Sequence, residues 1–136
     1  MKLKRFIVAG FAGGLVILIA SMVFQMAVQA VWPFNIFELG GMRAQDDPVM
    51  MLFFLHPWVL SFCMTAVYAK LGSSLQGNKL WKGNKFGFLM WLVAGLPSAF
   101  IVYSSMNYPI GFSVNSLFGS LVYMMLAGVA IAVIME

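Results

Sequence analysis

His56 is the only histidine in this chain. It sits with Pro57 and Trp58 inside an apolar run from Val49 to Ala69. An ionisable side chain in such a run is a functional-site candidate, because charge is costly there and neutral imidazole can still bind a ligand or a metal. Of the twelve methionines, Met26, Met42, Met50, Met51 and Met106 are expected at the same side as His56. Thioether and imidazole together suit Cu(I), and a His/Met pair can hold a haem iron. The candidate metal set is therefore His56, Met50, Met51 and Met106. The candidate ligand site is His56, Trp58, Asp46 and Asp47, open to copper, haem or a small lipophile.

Each of these residues also has a plainer role. Methionine is a common filler of apolar helices, and no tight Met-x-x-Met or His-x-x-His pattern is present. A neutral histidine can bond a carbonyl freed by Pro57 or Pro97. Asp46 and Asp47 precede Pro48, so Asp47 is expected to cap a helix whose first position is the proline. On these readings no cofactor is required. Enzymatic motifs are missing too: there is no G-x-x-x-x-G-K-[ST], G-x-S-x-G, H-E-x-x-H or C-x-x-C. The lone Cys63 cannot form an intramolecular disulfide. Ser61 or Ser98 with His56 would be a nucleophile and base without fixed geometry. A proton-coupled transporter needs a carboxylate within its spans, and these spans have none.

The elements that carry these residues are long and apolar. Hydrophobic residues make up 62% of the 136-residue chain and charged residues 9%, against roughly 25% charged in soluble domains. A bilayer, not a soluble core, accommodates that composition. The expected fold is an all-α integral membrane protein, a single antiparallel four-helix transmembrane bundle with spans at about 6–32, 48–71, 86–104 and 112–135. Each is long enough for a ~30 Å hydrocarbon core. Val28-Gln29-Ala30 resembles a signal cleavage site, but the preceding apolar region is too long, so the first span is expected to be retained.

Proline and small residues shape these spans. Pro57 is expected to free the carbonyl of Phe53 and bend span two, and Pro97 to do the same to Val93 in span three. Gly10 and Gly14 form a G-x-x-x-G pair in span one, with Ser21, Gln25 and Gln29 on nearly the same side. Asn115 and Gly119 lie in a small-residue row of span four. These faces are expected to bury against other helices, with Gln25 a candidate partner for Asn115. His56 is placed about five residues inside the boundary of its span. The 33–47 connection is expected to hold a short helical turn ending at Gly40-Gly41, and 72–85 to be a flexible loop.

The net charge of +4 is not a nucleic-acid signal, because the cations sit at the ends of apolar runs. All Lys and Arg residues except Arg43 fall at the N-terminus or at 70–85. That bias predicts cytoplasmic termini. Short loops suit a prokaryotic cytoplasmic membrane. Three functional readings follow. The first is a non-catalytic accessory or homo-oligomerising subunit, since small and amide residues on several faces are more than four short helices need among themselves. The second is the ligand site around His56. The third is a permeation path through an oligomer, lined by Ser21, Gln25, Gln29, Asn115 and Ser116.

Overall fold

The computed structural model describes residues 2–136, and among them every regular element is helical. Four helices are long and apolar enough to cross a membrane: Lys2–Val31, Pro48–Ser74, Lys79–Ser105 and Ile110–Met135. We refer to them as spans one to four. Span one is a single helix, α1 (Lys2–Val31). Span two begins as a 3₁₀ helix over Pro48–Leu55 and continues as α2 (His56–Leu71). Span three comprises α3 (Lys79–Met90), a π turn at Trp91–Gly95, and α4 (Leu96–Ser105). Span four comprises α5 (Ile110–Val114), a π turn at Asn115–Gly119, and α6 (Ser120–Met135).

Local chemistry explains the helix starts. The Asp47 carboxylate accepts the Val49 N–H at 2.9 Å, with Pro48 at the first helical position, as expected. Span three starts at Lys79, not near 86, which corrects the expected flexible loop. Asn78 Oδ1 accepts the Trp81 N–H at 2.9 Å and caps the helix. Lysine is a good helix former, so Lys79, Lys82 and Lys85 add a helical extension to the apolar run. The expected turn in the first long connection is a 3₁₀ turn at Ile36–Glu38, and Gly41 takes the left-handed φ of +85° that follows it.

The effect of Pro57 differs from the expectation. The carbonyl of Phe53 is not free; it accepts the N–H of His56. The chain before Pro57 is wound as 3₁₀, so the proline falls in the first turn of α2, where its missing N–H costs nothing. At Pro97 the ladder is altered one turn earlier: the Leu96 N–H donates to the Trp91 carbonyl, five residues back.

The spans run antiparallel, and the packing is uneven. Span one packs on spans two and four, and span three packs on span four. Gly10 and Gly14 of span one face the rings of Phe62 and Trp58 of span two. Gly83 and Gly87 of span three lie against the backbone of span four at Gly128 and at Met124–Met125. Spans two and three have little direct contact along their backbones. In the half nearer the termini they meet through Tyr68 and Phe86, edge to face at 5.0 Å between ring centroids. There the core closes around Ile17, Met64, Phe86, Ala127 and Ile131. In the other half, Val49 and Met51–Leu55 are exposed and only Met50 of the 3₁₀ stretch is buried. The bundle is thus closed at the end holding the termini and open between spans two and three toward the other.

Candidate functional site: a cleft between spans two and three

Where spans two and three part, span four forms the floor of a cleft of about 300 Å³. Its polar lining is His56 from span two, Ser98 from span three, and Ser116, Ser120 and Tyr123 from span four; Leu60, Ala99, Val102 and Phe112 supply apolar walls. The volume lies at the low end of the range for small-molecule sites, which combine apolar walls with a few polar groups.

His56 reaches this cleft because of the 3₁₀ winding ahead of it. Eight residues from Pro48 to Leu55 rise about 16 Å at the 3₁₀ pitch, against about 12 Å in an α-helix. Trp58 packs on Gly14, near the middle of span one. His56 therefore lies near mid-length of the bundle, deeper than the five residues expected. Its ring is exposed to the cleft. Neutral imidazole offers one donor and one acceptor there.

The floor is held by a contact between the two π turns. Trp91 Nε1–H donates to the Leu117 carbonyl at 3.0 Å and to Ser120 Oγ at 3.1 Å. Ser120 Oγ donates in turn to the Ser116 carbonyl one helical turn back. The indole can lie along its own helix because residue 95 is glycine. A Cβ there would sit 3.0 Å from both Trp91 Nε1 and Ser120 Oγ. Each π turn interrupts the regular ladder, and such turns recur at functional sites. Ser120 is thus fixed by bonds within the protein. The hydroxyls of Ser98 and Tyr123 and the ring of His56 are not used in these bonds.

The residues singled out from the sequence do not converge on one place. Asp46 and Met50 line a separate hollow of about 700 Å³ with Gln25, Gln45, Phe37 and Phe53. Asp47 caps its helix and pairs with Arg43 at 3.0 Å. The Val49 N–H, and then the Arg43 guanidinium, hold its carboxyl below the usual aspartate range. Trp58 is committed to Gly14. Met51 and Met106 are exposed. Among the described residues, no three His, Cys, Asp or Glu side chains gather as a metal site would require. Of the candidate ligand and metal sets, only His56 lines the cleft.

The expected packing residues are largely engaged within the chain. Gln29 clamps the backbone of Phe34, donating to its carbonyl at 2.7 Å and accepting its N–H at 2.9 Å. Ser21 Oγ donates to the Leu18 carbonyl at 2.9 Å. Gly119 faces the Phe24 ring and Asn115 Oδ1, while Gln25 turns to the other hollow, so the Gln25–Asn115 pair does not form. The glycines of spans one, three and four each meet a neighbour from this same chain. Ser98 was weighed only as a nucleophile beside His56, and the two do line the same cleft; Tyr123 and Trp91 were not among the residues singled out for the site. The available signal was Trp91 and Gly95 shortly before Pro97, a pattern that marks an interrupted helix.

Comparison with protein-family models, with characterised proteins and with solved structures gives no match.

Proposed function

We propose that this chain is a multi-pass membrane protein that binds a neutral, lipid-soluble molecule in the cleft between spans two and three, without chemistry of its own. The single observation behind this reading is the unclosed pair of spans beside His56, Ser98, Ser116 and Tyr123. A bilayer suits the four apolar spans, and the excess of Lys and Arg at the end holding the termini supports cytoplasmic termini. A prokaryotic cytoplasmic membrane suits the short loops. In that setting the cleft opens sideways to lipid at mid-depth. A charged ligand is disfavoured there. Imidazole and hydroxyls both donate and accept, so the fitting ligand carries a hydroxyl or carbonyl on an apolar body.

A bifunctional fatty alcohol bearing a diazirine tests this. The cross-links are expected on Leu60, Ala99 and Val102, and His56→Leu is expected to weaken labelling about tenfold, the value of one hydrogen bond in an apolar site. Labelling spread evenly over all four spans, or unaffected by Ala99→Trp, would refute the reading. The rival reading is an accessory or homo-oligomerising subunit. Its motive was a surplus of small residues, and those glycines already have partners within the chain. A dimer that persists in mild detergent would restore it.

A further inference from the structure

We infer that the end of the bundle holding the termini carries a site for the phosphodiester headgroup of an anionic phospholipid, between spans one and two. A cavity of about 640 Å³ lies there, separate from the cleft. Lys2 and Arg5 stand on its span-one side, and Gly72 and Ser73 on its span-two side. The two cations are three residues apart on one helix, so they share a face. Neither forms an ion pair among the described residues; Arg5 makes one long bond, 3.5 Å, to the Met135 carbonyl. A guanidinium with free donors and a neighbouring ammonium is the pair that recognises a phosphate group.

Glu136 also lines the cavity, and its charge is already matched. Lys82 Nζ donates to its two carboxylate oxygens at 2.9 and 3.2 Å, and Tyr68 Oη donates to Oε1 at 2.8 Å. The uncompensated side-chain charge of the cavity is therefore positive. Its remaining walls are apolar: Leu3, Phe6, Ala69 and Met135. Leu3 is exposed on the outer flank of span one, so the apolar wall runs out onto the surface that acyl chains would cover. That continuity selects a lipid headgroup over free phosphate. Basic pockets between membrane helices hold anionic headgroups by this combination. The inference shares only the bilayer with the cleft reading, so either can fail alone.

Native mass spectrometry of the full chain, released from nanodiscs of phosphatidylglycerol and phosphatidylcholine, tests it. The parent is expected to retain one phosphatidylglycerol through detergent washing and no phosphatidylcholine. Replacing both Lys2→Gln and Arg5→Gln is expected to weaken retention about 30-fold, from two interfacial cations. The pair Lys79→Gln and Lys85→Gln removes equal charge from residues that do not line the cavity and is expected to keep the lipid. Equal loss in both pairs would overturn the inference in favour of diffuse surface charge. So would equal retention of the two lipids, or displacement of phosphatidylglycerol by millimolar inorganic phosphate. Thermal midpoints of both double variants near the parent's are expected; if the Lys2/Arg5 pair unfolds, Arg5→Lys must retain the lipid more weakly than the parent or the inference fails.

Discussion

Replacing Gly87 with alanine tests how span three is held against span four. A Cβ at Gly87 would meet backbone, lying 2.8 Å from the Met124 carbonyl carbon. Backbone cannot turn aside, so the two helices must separate. Overpacking costs about 1–3 kcal/mol, and a rigid neighbour puts this site at the upper end. Alanine returns about 1 kcal/mol through its better helix propensity. The net destabilisation is about 2 kcal/mol. Gly10→Ala is the internal comparison. Its Cβ would meet the Phe62 ring, 2.7 Å from Cζ, and a ring can rotate away. The smaller overpacking cost and the propensity gain nearly cancel, so about zero is expected. Gly40→Ala, with nothing within 4 Å, controls for the substitution itself. The assay is equilibrium unfolding in mixed micelles, followed by tryptophan fluorescence and far-UV circular dichroism. If Gly87→Ala proves as stable as the parent, or Gly10→Ala costs as much, the close approach of spans three and four is not what fixes span three.

Two further outcomes follow from named bonds. Trp91→Phe keeps most of the ring's bulk but removes the indole donor to Leu117 and Ser120, so a loss of about 1–2 kcal/mol is expected in the same unfolding assay; no loss would mean the bond does not hold the cleft floor. Glu136 is held below its ordinary value of 4.5, by Lys82 first and then Tyr68. A depressed carboxyl stabilises the fold above its unfolded value, and that contribution disappears as pH falls through the folded value. Thermal stability is therefore expected to fall below about pH 4.5, and Glu136→Gln to flatten that fall; an unchanged slope would remove the carboxylate from the account.

The legibility of the site was uneven, and particular residues show why. Asp47 as a cap and Pro48 as a first helical residue were readable, because a cap depends on neighbours a few positions away. Span three begins at Lys79 and not near 86, since a hydropathy pattern marks apolar length and not helix length. His56 was readable as the unusual group, but its depth was not. That depth depends on 3₁₀ winding over Pro48–Leu55, and nothing in an all-apolar stretch distinguishes 3₁₀ from α. Gln29 looked like a helix-packing amide and instead closes its own loop at Phe34.

What the sequence determined alone was four apolar spans, the Asp47 cap of span two, and an asymmetry of charge between the two ends. Each is a local or summed property of the chain, so it survives without knowledge of neighbours. Which glycine meets which helix, where spans two and three part, and which polar groups then share a cleft were decided only by tertiary structure. The spans are apolar on most faces, so periodicity carries little record of which face is inward. The pairing is set by steric fit between helices: Gly83 and Gly87 admit span four, Gly14 admits Trp58, and the polar side chains of the cleft are left where the fit ends.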